Sequence, residues 1–354
     1  MIFPRHLRLI LLVLTAPVMF GATAKKTPTR PGEMDNKAAF KGAIVVDAAT
    51  GAVLFEDRAT VITPPASMTK LMTFAIVHDR ITQGTLSVTT PVRITNEDAK
   101  IGGTQVYLDP RETFPVDELL YAMMIQSAND AAYALARASA GSVPAFVDLM
   151  NAKAKALGMT NTTFRTPHGL PPSSRRVAEG DLTTPQDFAK LCQYLLKNTN
   201  VLQYTSVRTR DFGTSRAGGP QHMKNHNNLL GKVDGVDGLK TGYTEGAGYC
   251  LSATAQRNGR RVILVIMGSF GPNGQKDLGK TRDLKAVELL ERGFAALPAA
   301  PAPSATNAPA VNAATAPAAS PVVPAPRPTT PAPAAASPAP AAGEPVIKFS
   351  IPKK

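Results

Sequence analysis

The stretch Pro65–Met72, "PASMTKLM", decides how this sequence is read. Ser67 stands three residues before Lys70. Met68, Leu71, Met72, Ala75 and Ile76 recur at i, i+3, i+4, i+7 and i+8, which is one face of an α-helix. Pro64-Pro65 bars helix upstream, so Ser67 opens a buried helix with Lys70 one turn along. Such a serine is ordinarily a helix cap. The other reading is chemical. Residues three apart on a helix are neighbours, a serine hydroxyl needs a base before it attacks, and a lysine buried among cations gives up its proton and can serve as that base. Alone, Ser-x-x-Lys is weak, because the spacing arises by chance in many chains.

Outward from this stretch, Ala43–Asp47 and Ala52–Glu56 read as strands about Thr50-Gly51. Pro115–Gln126 and Asp130–Ser139 read as helices, with Ser127-Ala128-Asn129 at a turn between them. Pro144–Leu157 is helical and stops at Gly158. Thr184-Pro185-Gln186-Asp187 starts a helix that runs to about Lys197. The period then changes. Gly238–Thr244 is extended, Tyr249–Ala255 and Arg261–Ser269 are strands joined at Asn258-Gly259, and Thr281–Leu297 is a closing helix. Strands from both ends pair into one antiparallel sheet flanked by helices, while the middle makes a mainly helical subdomain. The fold class is α/β.

The chain has 354 residues and a formal charge of +13. Residues 1–24 read as a signal peptide, from Arg5 and Arg8 through the apolar Leu9–Leu14 to the small-x-small Ala22-Thr23-Ala24. A short leader covers 25–36, and the domain proper covers 37–297. From about Pro298 to Pro345 the chain is almost entirely Pro and Ala, Val346–Lys354 is mixed apolar and basic, and residues 298–354 together read as an extended, disordered tail. The charges of the two ends leave +8 on residues 25–297. On an exported protein of the periplasm or cell envelope, that surface suits anionic partners such as wall polymer or lipid headgroups. With no aromatic-interleaved basic stripe, nucleic acid is not expected as a partner. Cys192, in a helical pattern, and Cys250, in a strand pattern, are expected to be buried free thiols.

Most catalytic chemistries lack their residues. His78 lies in the first helix, His168 in a loop, and His222 and His226 in a polar loop. None sits in a Gly-x-Ser-x-Gly context. His-Glu-x-x-His is missing, so neither a metal nor a cofactor is expected. Two further triplets change the weight of Ser67-x-x-Lys70. Ser127-x-Asn129 follows it by 60 residues, and Lys240-Thr241-Gly242 lies on a later extended segment. Each triplet alone has a bland structural explanation: a cap, a polar turn pair, a surface lysine beside a glycine bulge. Together and in this order they form the three-part pattern of penicillin-binding proteins and serine β-lactamases. "AAFKGAIVVDAATGAVLFEDRA", "MIQSANDAAYALA", "MNAKAKALGMTNTTFRTPHGL" and "VDGLKTGYTEGAGYCLSATA" extend the likeness. Over about residues 37–297 the chain resembles the D-alanyl-D-alanine carboxypeptidase family of low-molecular-mass penicillin-binding proteins.

That resemblance implies acyl transfer at the end of a peptidoglycan stem peptide. It implies Ser67 as nucleophile and Lys70 as its base. Ser127 passes a proton to the departing D-alanine, and Asn129 bonds the substrate amide and Lys70. Lys240 stabilises charge nearby. The resemblance places oxyanion donors at the backbone N–H groups of Ser67 and Tyr243, where many relatives carry histidine at the latter position. Thr241, Gly242 and Arg282 (in "GKTRDLKAVELL") fall on the strand and helix expected to meet the substrate carboxylate. β-Lactam antibiotics are expected as covalent inhibitors. The Glu-x-x-Leu-Asn loop of class A β-lactamases is not visible, which argues against efficient β-lactam hydrolysis. The all-β C-terminal domain and amphipathic helix of familiar relatives are replaced by the Pro/Ala segment, so membrane or wall association stays open. A DD-endopeptidase or β-lactamase on the same site, or a non-catalytic wall-binding scaffold, are the alternatives.

Overall fold

In the computed structural model, which describes residues 39–298, strand β1 (Gly42–Asp47) is buried along its whole length. It lies inside a five-stranded antiparallel sheet of order β2-β1-β9-β8-β7, with β2 (Val53–Asp57), β7 (Val236–Thr244), β8 (Gly248–Arg257) and β9 (Arg260–Ser269). The first strands thus pair with the last ones, as their patterns predict. Successive side chains of a strand point to opposite faces. Ala43 and Val45 join Leu264, Ile266 and the α8 residues Ala286, Leu289 and Leu290 in one core, where α8 is Lys280–Ala296. Ile44 and Val46 join the other core, with Ile263, Val265 and the helical lobe. Both faces are covered, which is why β1 reads as an unbroken apolar run. Between β8 and β9, Asn258 (φ 48°) and Gly259 (φ 74°) form the tight hairpin turn that Asn-Gly signals.

The helical lobe lies between β2 and β7 in the chain. It contains α1 (Lys70–Thr82), the short α2 (Asn96–Ala99), α3 (Val116–Tyr121), α4 (Asn129–Ala140), α5 (Val143–Ala156), α6 (Pro185–Asn198) and α7 (Val201–Thr205). Two small hairpins brace it: β3 (Pro91–Arg93) with β4 (Thr113–Pro115), and β5 (Thr209–Phe212) with β6 (Gln221–Lys224). The periodicity of α1 predicts one buried face. The structure instead buries every residue from Lys70 to Val77, because α4, α5 and α6 surround the helix. Leu71, Met72 and Phe74 each contribute about 1.5–3 kcal/mol by that burial, so the helix that carries Lys70 is held as core.

Three expectations need correction. The helix expected over Pro115–Gln126 is α-helical only to Tyr121. Ala122–Gln126 continues as a wider π-helical turn that ends at Ser127. His222 is on strand β6, not in a loop, and its ring nitrogen meets Asp211 at 2.9 Å across the β5–β6 pair. Ser67 opens the helix through a 3₁₀ turn, Ala66–Thr69, before the α-helix begins at Lys70. Cys192 and Cys250 are buried and free, as expected. The signal peptide, the leader and the Pro/Ala-rich tail lie outside the described residues, Pro298 apart. Among the described residues no helix is long and apolar enough to cross a membrane.

Candidate active site

The turn before α1 is set by close packing. Ala66 holds a left-handed backbone (φ 50°), which costs an L-residue about 1–2 kcal/mol. Two glycines make room for it. A Cβ on Gly169 would lie 1.9 Å from the Ala66 carbonyl oxygen, and one on Gly242 would lie 2.7 Å from the Pro65 oxygen and 3.0 Å from the Ser67 nitrogen. Strand β7 and the 168–170 loop therefore press backbone to backbone on Ser67. The capping explanation of Ser67 fails. The caps of the 3₁₀ turn and of α1 are Pro65 and Thr69, and neither makes a side-chain capping bond. The Ser67 hydroxyl instead meets Lys70 Nζ at 3.0 Å.

Lys70 is completely buried. Its Nζ donates to Asn129 Oδ1 at 2.6 Å and to the His168 carbonyl at 2.8 Å. Asn129 is oriented by its own amide nitrogen, which donates to the Gly102 carbonyl at 2.8 Å and so turns Oδ1 toward the lysine. The two carbonyl partners can only accept, whereas the hydroxyl can accept or donate. An ammonium would donate to all three. A neutral amine would spend its two N–H bonds on the carbonyls and aim its lone pair at the Ser67 hydroxyl. The environment favours the second form. Burial, then the nearby charge of Lys240, holds the amine well below its ordinary value, and the carboxylates of Asp181 and Asp130 pull only partly the other way.

The other predicted site residues come from three elements. Ser127 is buried at the end of the π-helical turn, in the left-handed conformation (φ 63°). That kink lets the chain reverse and start α4 at Asn129, whose N–H donates to the Thr104 carbonyl. Lys240, Thr241 and Gly242 are buried on β7, the edge strand of the sheet. Burial and then the Arg282 charge push the Lys240 amine down to about 7, and among the described residues its one hydrogen bond goes to the Thr241 carbonyl at 3.1 Å. Tyr243 is partly exposed and stacks on Tyr249 with ring centroids 4.3 Å apart. Arg282 is not a solvated helix-start residue: it is 4 % exposed, ion-paired to Asp283 at 2.6 Å, and reaches the Cys250 carbonyl on β8, opposite Gly242.

Three residues of this neighbourhood were not singled out in the sequence. The His168 carbonyl binds Lys70, while its ring accepts the Leu170 N–H at 3.2 Å and is pushed down to about 3 by burial and then by Lys70. Asp181 accepts from Thr69 Oγ1, Thr166 Oγ1 and the backbone N–H groups of Arg165 and Thr166, tying α1 to the loop that ends at His168. His226 has its imidazole pushed down to about 4, first by the surrounding protein and then by Lys240, Lys70 and Arg282. "RTPHGL" lies within the stretches that carry the resemblance and marks His168. Asp181 has no local signal, for its partner Thr69 is 112 residues away.

Comparison with known proteins agrees with this geometry. The family model described as D-alanyl-D-alanine carboxypeptidase matches residues 25–271. The chain is 34% identical over 285 residues to D-alanyl-D-alanine carboxypeptidase DacF of Bacillus subtilis, covering 80% of this chain and 68% of that protein. It is 37% identical over 233 residues to D-alanyl-D-alanine carboxypeptidase DacC of Escherichia coli, covering 64% of this chain and 56% of that protein. It thus spans between about half and two thirds of the length of these relatives. Penicillin-binding protein D2 of Listeria monocytogenes, solved in its ampicillin-bound form, superimposes with a TM-score of 0.62 at 30% identity, covering 72% of this chain and 97% of that one. The expected α/β fold of the penicillin-binding proteins is thereby shown. This chain belongs to the D-alanyl-D-alanine carboxypeptidase family.

Proposed function

We propose that this chain is a serine-type D-alanyl-D-alanine carboxypeptidase that removes the terminal D-alanine from peptidoglycan stem pentapeptides. The observation that carries this reading is the contact of Ser67 Oγ with a buried Lys70 amine whose other two partners are carbonyl oxygens. Ser67 Oγ attacks the carbonyl carbon of the penultimate D-alanine and its proton passes to Lys70. Backbone N–H groups of Ser67 and Tyr243 hold the oxyanion, each such donor being worth about 3–4 kcal/mol in a site of this kind. The packing of Gly242 on the Ser67 nitrogen supports that pairing. The C–N bond then breaks. Ser127 relays the proton to the leaving amine, and Lys240 and Thr241, with Arg282 behind them, meet the C-terminal carboxylate. Water hydrolyses the acyl-enzyme and restores Ser67.

A β-lactam presents the same acyl bond and carboxylate, so it acylates Ser67 as well. The protein acts outside the cytoplasm, in the periplasm or cell envelope, where its basic surface meets wall polymer or the membrane surface. Mass spectrometry of the protein with and without penicillin tests the assignment. One adduct on the Ser67 peptide is expected, and an adduct retained by a folded Ser67→Ala protein would refute the nucleophile. Digestion of purified muropeptides separates the activities: free D-alanine marks the carboxypeptidase, split dimers an endopeptidase.

A further inference from the structure

β7 gives the cleft a direction. Lys240 and Arg282 make one end cationic, where a C-terminal carboxylate belongs. The rest of a bound peptide must then leave past Tyr243, toward Thr244–Gly246. A cavity of about 550 Å³ opens there, beginning at Ala66 beside the nucleophile and reaching Thr244 and Glu245. An extended chain advances about 3.3–3.6 Å per residue, so the residue just upstream of the D-alanine pair has its side chain at this cavity.

The lining supplies an apolar wall and one cation that is in no ion pair among the described residues. Leu170, Pro171, Pro172 and Val177 line it. The Asp181 carboxylate also lines it, but both oxygens are taken by Thr69, Thr166 and the Arg165 N–H. Glu245 is paired to Lys276 at 2.9 Å, and Arg176 at the neighbouring position to Glu179 at 3.3 Å. Arg175 lines the cavity and makes no ion pair among the described residues, although, behind the Lys276 hydrogen bond and charge, its own charge reaches Glu245 and helps hold that carboxyl low. We propose that this cavity receives the side chain of the stem residue preceding the D-alanine pair, and that Arg175 selects a side chain ending in a carboxylate. The subsite rests on the carboxypeptidase reading. A diamino dicarboxylic residue such as diaminopimelate carries that carboxylate on a methylene stem that the apolar wall can cover. Lysine ends in an ammonium alone, which Arg175 repels.

The test compares two pentapeptides that differ only at this residue, meso-diaminopimelate against lysine. Each kcat/KM is divided by that for a minimal N-acylated dipeptide, acyl-D-alanyl-D-alanine, which reports folding and the catalytic centre of every variant. Arg175 is exposed, so its ion pair is screened and the expected preference for diaminopimelate is about two- to fivefold. Arg175→Gln brings the ratio to about one and Arg175→Glu inverts it, while Arg175→Lys keeps part of it. Equal turnover of the two peptides by the unaltered protein, or a preference that survives Arg175→Gln, overturns the subsite. No turnover of the minimal dipeptide overturns the carboxypeptidase reading itself, and the subsite with it.

Discussion

The two buried lysines sit in opposite kinds of structure. Lys70 is on a helix packed on all sides, and every hydrogen its amine could donate has a partner. Lys240 is on an edge strand and, among the described residues, has one partner, its own neighbour's carbonyl. Both are held below the ordinary lysine range by burial and a nearby cation. The helical side is complete before substrate arrives, as suits a base that must be aimed. Among the described residues the sheet side leaves Lys240 with donors to spare, as the proposed role in meeting a substrate carboxylate requires.

Removing the Lys70 amine is the most severe way to break this contrast. Lys70→Ala should fold yet be acylated by penicillin on the order of 10³-fold more slowly, followed by adduct formation over time. A near-normal rate would mean that another group takes the Ser67 proton. Next is the seam between the two sides. Gly242→Ala puts a Cβ against two backbone atoms that cannot move independently, so thermal melts should show a loss of about 1–3 kcal/mol together with slower acylation. An unchanged melting point would mean that the seam is looser than the packing indicates.

The lysines should also separate by pH. The proposed mechanism needs a neutral Lys70 and a protonated Lys240, so kcat/KM for a depsipeptide should rise as Lys70 loses its proton and fall above about pH 7 as Lys240 does. The alkaline limb should fall about tenfold per pH unit. It should vanish in Lys240→Met, while the acid limb stays. A pH–rate series from 5 to 9 decides this, and a limb that persists in the variant assigns it to some other group. The smallest effect is on stability. Below pH 7 both folded and unfolded states carry the Lys240 proton, and the folded state bears the full cost of a buried ammonium. Between 7 and the ordinary 10.5 only the unfolded chain keeps the proton, so this cost shrinks as pH rises. Lys240→Met should therefore be more stable than the unaltered protein at pH 6, with the gap narrowing toward pH 9.5 in denaturant melts. A gap that widened with pH would contradict the sign.

Much of the site could be read from one dimension because its parts are local. Ser67 and Lys70 share a helical turn, Ser127 and Asn129 flank a helix start, and Lys240–Gly242 form one strand. Alternation on β1, β8 and β9 and the Asn258-Gly259 turn carried the sheet in the same way. The π-helical turn escaped, since Ala122–Gln126 is as apolar as any buried α-helix and its extra residue is forced by the reversal at Ser127. The β5–β6 hairpin escaped because it is short, polar and held by the lobe beneath it.

Residue order alone thus picked out the candidate groups and the elements that carry them, because hydrophobic period, proline and glycine act over a few neighbours. It could not settle which carbonyl meets Lys70, why Asp181 is buried, or where Arg282 ends. Those depend on chain segments tens to more than a hundred residues apart, and burial deep enough to weaken a lysine's hold on its proton exists only once those segments have packed together.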